Sequence, residues 1–413
     1  MNKYISAFFV MVMSVSLSVN AQVSTISAAS SMECEGGEVS SLLKEIETNN
    51  TTLVTLRAEV EAQKLANRTG ITLPDPEVGL KRMWEGAEES GKLTEITVTQ
   101  SIDLATVMGQ RVRLAQQQDV LVDEEYKVAR MDILLEAKLA CIDLSYYNAL
   151  AKELERRLTY ARRVVEVEQQ RLANGDTDVL SYNNVLLSLS ALEAEKSRVD
   201  MERNVLIARL TALNGSKVLD GIESLDILGD PISLQETDFA LWYAEAEPHL
   251  PQLAQIRQLR EVRTSELSLA KSSLLPALSA TYINEHHTMG TRSQGVAVGV
   301  SIPLWGNKNR VRSARAALHA VESQQADVEL QLRSAYEQEF VRVKGLCETA
   351  VLYRRALNEA NNSVLLEKAM DEGFISVLEY LQGIELYYDY LDKSLNAERD
   401  FQRAQVELEA WKL

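Results

Sequence analysis

Apolar and polar residues alternate strictly in two short stretches of this chain, and apolar residues recur every three or four positions in much longer ones. Ile96, Val98, Ile102 and Leu104 alternate with Glu95, Thr97, Thr99, Ser101 and Asp103; Val296, Val298, Val300, Ile302 and Leu304 alternate with Ala297, Gly299 and Ser301. A period of two predicts strands with one apolar face and one polar or small face. Val78 and Leu80 precede the first stretch, and Leu278, Ala280 and Tyr282 the second, as weaker partner strands. Each pair predicts a hairpin, over about 73–104 and 274–304, with loops at 86–91 and 288–293. The strand length, around ten residues, is that of a tilted membrane strand. Trp84 and Tyr282 stand where interfacial aromatics would.

Proline and glycine bound the long stretches. The seven prolines fall at 74, 76, 231, 248, 251, 276 and 303, and the only glycine from 110 to 214 is Gly175. Proline breaks helices, so its absence permits helices over about 105–172 and 307–372, each ~100 Å long at 1.5 Å per residue. Shorter helices are expected over about 38–69, 178–214, 243–272 and 376–413, with an irregular segment at 215–240. Val377, Leu381, Ile384, Tyr388, Leu391 and Leu395 form an a/d stripe. Leu154, Leu158, Ala161, Val165 and Leu172 keep a similar register, with Glu168 as an interruption. Arg156, Arg157, Arg162 and Arg163 read as solvated flanks. Gly175, followed by Asp176, and Gly373, followed by Ser376, predict a helix end in the left-handed conformation and a fresh N-cap, so each long helix reverses.

The same order is written twice. Gly175-Asp-Thr-Asp-Val179-Leu180 returns as Gly373-Phe-Ile-Ser-Val377-Leu378, Ser101-Ile-Asp-Leu104 as Ser301-Ile-Pro-Leu304, Arg111-Val-Arg113 as Arg310-Val-Arg312, and Leu73-Pro74 as Leu275-Pro276. The domain organisation is therefore two structural repeats, 22–214 and 241–413, separated by a linker at 215–240. Residues 1–21 read as a signal peptide, with Lys3, an apolar run and Val19-Asn20-Ala21 before Gln22.

Charge and chemistry narrow the function. A net charge of −17 argues against nucleic acid or an anionic surface as partner. Cys34, Cys141 and Cys347 have no pairing pattern. Glu285-His286-His287 lacks a third ligand at zinc spacing and reads as exposed loop-end residues. No nucleophile elbow, phosphate loop or His-Glu-x-x-His motif occurs. The expectation is no catalytic residue, no metal site, no cofactor and no enzyme. Four strands cannot close a membrane barrel, for which eight is the smallest number, and open edges are not tolerated in lipid. If the hairpins lie in a membrane, several chains share one barrel.

The paired Gly-x-x-x-Val-Leu turns, the Ser-Ile-x-Leu strand ends and the Leu210-x-x-Leu-Asn-Gly215 close together resemble the TolC-type outer-membrane efflux family, across essentially the whole mature chain. The resemblance implies a mainly α fold with β: long antiparallel coiled-coil helices form a periplasmic tunnel, and two hairpins per chain join a trimeric, twelve-stranded transmembrane barrel. It implies an exit duct in the outer membrane of a Gram-negative bacterium, passive, with a periplasmic adaptor and an inner-membrane pump as partners. It places the two turns at the periplasmic tip, so Gly175, Asp176, Asp178, Ser181, Gly373, Ile375 and Ser376 become candidate adaptor contacts. Ile375, Glu372 and Ser181 depart from the family's gating residues. Asp176, Asp178, Asp371, Glu372 and Glu379 would ring the entrance of a trimer with negative charge; the plainer alternative is helix caps. A secreted coiled-coil adaptor or scaffold would explain the heptads but neither the hairpins nor the duplication. A secreted enzyme lacks its constellation.

Overall fold

The structure, a computed structural model, describes residues 37–84, 93–103, 105–227, 238–287, 290–303, 305, 307, 309–360 and 362–413. The leader, Cys34, Leu104, Leu304, the first hairpin loop and the middle of the linker lie outside the described residues. The chain divides into two compact units, Met1–Ser40 and Ser41–Leu413. Of the first, only the opening turn of a helix is described; the rest of that helix and every other element belong to the second.

Helices α1 (Gly37–Asn49) and α2 (Thr51–Asn67) lead to strands β1 (Glu77–Met83) and β2 (Leu93–Ile102). Then come α3 (Ala105–Asn174), α4 (Val179–Leu213), α5 (Phe239–Ala246) and α6 (Pro251–Ser272). The second half repeats the pattern with β3 (Ala277–His287), β4 (Arg292–Ser301), α7 (Arg310–Glu359), α8 (Ser363–Asp371) and α9 (Val377–Leu408). Helix α3 runs unbroken for 70 residues. No helix among the described residues is long and apolar enough to cross a membrane.

Three expected helices are broken; the one over 243–272 is interrupted between α5 and α6, where Pro248 and Pro251 stand. The helix over 38–69 stops at Asn50, which is almost fully buried. Its side chain accepts from Leu53 N, starting α2, and donates to the Leu213 carbonyl at the end of α4. Asn49 donates to Asn214 Oδ1, and Asn214 to Glu45. Gly215 follows at φ 66, and a Cβ there would stand 2.5 Å from the Asn49 carbonyl oxygen. This closure is what the Leu-x-x-Leu-Asn-Gly sequence builds: one buried amide satisfies two helix ends at once. The helix over 307–372 ends as α7 at Glu359 and resumes as α8 at Ser363, with no counterpart in α3.

Helix α3 is the spine, packed along α4, α6, α2 and α9, while α7 packs on α9 and α6. The seam differs in two places from the sequence expectation. Glu168 does not interrupt the stripe; it occupies it. The buried line on α3 runs Leu154, Leu158, Val164, Glu168, with Glu168 only 1% exposed and held by Arg171 at 2.7 Å. Arg157 is no solvated flank either. It is 4% exposed, grips Asp392 of α9 at 2.7 and 3.1 Å, and lies over the Tyr388 ring at 4.1 Å. On α9 the buried line passes through Tyr380, Ile384, Ser394, Ala397, Phe401, Ala404 and Leu408. It leaves the expected stripe beyond Tyr388 because α9 meets both α7 and α3, and two partners bury a wider face than one seam.

The four strands form one antiparallel meander, β1-β2-β3-β4, so the repeats are joined through β2 and β3. Cross-strand partners share a face in an antiparallel sheet. On one face the rows read Ile102, Leu278, Val300; then Gln100, Ala280, Val298; then Val78, Val98, Tyr282, Val296; then Leu80, Ile96, Asn284, Gln294. Leu80 is 73% and Val298 75% exposed. The opposite face carries Gly79, Thr97, Thr99, Ser101, Ser279, Thr281, Gly295 and Gly299, with Thr99 and Thr281 hydroxyls 3.0 Å apart. An apolar face this exposed, backed by a polar face, is the alternation of a membrane strand. Tyr282 does not mark an interface: it sits in the middle of the apolar rows. Trp84, just past β1, and Trp305, beyond the other end of β4, stand exposed at the two ends.

Candidate functional site: the two helical reversals

Both reversals are built the same way. Gly175 N donates to the Leu172 carbonyl and Asp176 N to that of Arg171; Gly373 N donates to Met370 and Phe374 N to Ala369. These nested bonds close the helix ends only when the glycine is left-handed, and Gly175 and Gly373 have φ of 79 and 77. Three residues after each glycine stands the next N-cap. Asp178 accepts from Ser181 N at 2.8 Å and from the Ser181 hydroxyl. Ser376 accepts from Glu379 N while the Glu379 carboxylate accepts from Ser376 N at 2.8 Å, a reciprocal capping box. The backbone N–H of Ser181 holds Asp178 below the usual carboxylate range, and the backbone N–H of Ser376 does the same for Glu379.

The reversals occupy one end of the bundle. Arg163 of α3 pairs with Asp371 at 3.1 Å, and the Tyr160 and Tyr380 rings stand 5.3 Å apart. Burial pushes the Tyr160 hydroxyl up to about 12. Of the five tip carboxylates, Asp178 and Glu379 are engaged as caps and Asp371 faces a guanidinium. Asp176 and Glu372 are exposed, and Ile375 is half-buried.

Sequence reading missed the apolar side of this end. Val179 is 60%, Leu180 70%, Phe374 78% and Leu378 57% exposed. Thus both residues of the Val-Leu pair after the first turn, and Phe374 and Leu378 at the second, put large apolar side chains in solvent, whereas Val377 is half-buried. Doubling at equal spacing from a turn was the available signal, since a core residue is not usually tied to a cap.

Solved structures share this arrangement. A membrane protein from Pseudomonas aeruginosa is similar over 91% of this chain and 90% of its own, with a TM-score of 0.74 at 18% identity. CusC is similar over 92% of this chain and 95% of its own, at 0.72 and 13% identity. The CmeC outer membrane channel of Campylobacter jejuni covers 91% of this chain and 85% of its own, at 0.67 and 12%. Likeness at such identity speaks for the fold. Residues 242–411 match the model of the outer membrane efflux protein family. That stretch of the chain resembles the family, and the fold of the whole chain is that of the solved structures above. No curated protein matches this chain by sequence. Among the described residues, no group of His, Cys, Asp or Glu is placed to hold a metal ion; His286 and His287 end β3.

Proposed function

We propose that this protein is the outer-membrane exit duct of a tripartite efflux system, passively conducting substrate delivered by an inner-membrane pump through a periplasmic adaptor. The observation that carries this reading is the four-stranded meander. It has an exposed apolar face, a polar face and two edges, β1 and β4, without partners among the described residues. In lipid every backbone N–H and C=O needs a partner, so such edges require neighbouring strands. Three copies supply twelve strands, above the eight of the smallest barrels. The polar faces then line a water-filled lumen, and α3, α4 and α7–α9 continue it as a periplasmic tunnel. CusC is described as forming a transmembrane channel and CmeC as an outer membrane channel.

The tip fits an adaptor. Gly175, Asp176, Asp178, Ser181, Gly373, Ile375 and Ser376 shape two rigid reversals, and the apolar residues beside them are the kind of patch that partners cover. Across a trimer, Asp176, Asp178, Asp371, Glu372 and Glu379 form an acidic entrance. A coiled-coil scaffold would have no use for an apolar sheet face of this extent.

The deciding test is the mass of the protein extracted from outer membranes in detergent, by light scattering with bound detergent subtracted. Three chains per particle are expected. A monomer that stays in solution without detergent overturns the duct.

A further inference from the structure

The apolar face of the sheet ends differently at its two ends. Towards the hairpin loops, the row beyond Leu80, Ile96, Asn284 and Gln294 reads Arg82, Thr94, His286, Arg292, one residue from each strand in register. These four therefore project from the same face as the apolar rows. Arg82, His286 and Arg292 are exposed, and the Arg82 guanidinium lies 5.9 Å from the centroid of the exposed Trp84 ring. At the other end the last row is Ile102, Leu278 and Val300, with Ile302 and Trp305 beyond. Asp103, next to that row, pairs with Arg111 at 2.7 Å. An aromatic residue thus stands at both ends of the face, but a cationic row at only one.

That asymmetry decides between two accounts. Arginine on the lipid face of a barrel is costly at the bilayer midplane and nearly free of cost near the interfaces, so the row has to lie at headgroup level. Snorkelling alone would serve equally at either end. A row confined to the loop end indicates that the headgroups at that end are anionic, a local exception to what the net charge of −17 implies for the chain as a whole. Guanidinium pairs with phosphate through parallel N–H donors. Thr94, between the two outer strands of the row, adds a hydroxyl that donates or accepts. Strands lie about 4.8 Å apart, so the backbones bearing Arg82 and Arg292 are on the order of 14 Å apart across three strand intervals. A headgroup bearing two phosphates can meet both arginines across that span, since long arginine side chains reach out from their backbones.

We infer that Arg82, Thr94, His286 and Arg292 form a docking row for a bisphosphorylated glycolipid of the leaflet on the hairpin-loop side, which fixes the depth of the sheet in the membrane. The inference rests on the membrane reading above. In a shared barrel the row repeats on every protomer, as a cationic belt directly above the apolar band.

The test is native mass spectrometry of the full protein in detergent, with bisphosphorylated lipid A or the same lipid stripped of its phosphates. Wild type is expected to retain the phosphorylated lipid about tenfold better, the scale of a charge-assisted hydrogen bond. The double variant Arg82→Gln with Arg292→Gln is expected to lose that preference while keeping its oligomeric mass. Equal retention of the two lipids by wild type overturns the inference, whether or not the variant assembles. Undiminished preference in the variant overturns it as well. Displacement of the lipid by millimolar inorganic phosphate would assign the row to free anions instead. A trimer without phosphate preference removes this inference alone, whereas a detergent-independent monomer removes the membrane reading with it.

Discussion

At the scale of single residues, the tip is governed by backbone requirements. Nothing lies within 4 Å of a Cβ built on Gly175 or Gly373, so space does not exclude side chains there; the left-handed φ does. Replacing either glycine with valine should cost about 1–2 kcal/mol, seen as a lower melting temperature and weaker export. Unchanged melting in both variants would refute the turn requirement. The tip acids do two jobs that substitution can separate. Asp178→Asn with Glu379→Gln keeps capping groups of the same shape and removes two charges per chain. If the acids shape the entrance, cation preference in a conductance assay falls while melting barely changes. Unaltered selectivity would leave them as caps only.

At the scale of elements, the contact between α3 and α9 ties the first repeat to the second. Arg157 carries it, through two bonds to Asp392 and its stack on Tyr388. Asp392 is 38% exposed and is rehydrated when its partner goes. Arg157→Met should therefore cost about 1–2 kcal/mol, below the 3–5 typical of breaking a fully buried pair. A double-mutant cycle of melting temperatures with Asp392→Asn measures the coupling; additive effects would show the pair to be idle. The sequence made these elements legible because proline and glycine are confined to their ends and the period changes from two to about 3.6. It left the breaks at Asn50 and between α7 and α8 illegible. Asn50 ends a helix because α4 arrives beside it, a contact more than 160 positions distant in the chain. Arg157 looked like a solvated flank for a related reason: one helical stripe does not show that a second helix closes over the neighbouring face.

At the scale of the whole molecule, the pH response follows from carboxylates tied across it. Arg130 of α3 holds Glu47 of α1 through bonds of 2.6 and 2.8 Å, and that hydrogen bonding lowers the Glu47 pKa. A carboxylate depressed in the fold contributes stability that is fully present above its unfolded pKa, about 4.3. It is lost as pH falls through the lower folded value. Glu47→Gln should thus melt below wild type at pH 7, with the gap closing as pH drops below about 4. A constant gap from pH 7 to 3 would show that the ion pair contributes nothing.

By itself the sequence determined the two repeats, their strands and long helices, and the glycine reversals, because these follow from local period, backbone conformation and capping within a few residues. It also marked the face of each strand, since a period of two assigns faces before any partner is known. The tertiary structure alone decided which residues share a row across the sheet, which arginine is buried, and where α1 stops. Those depend on register and docking between segments as far as 235 residues apart, and a shift of one residue in strand pairing turns every side chain to the opposite face.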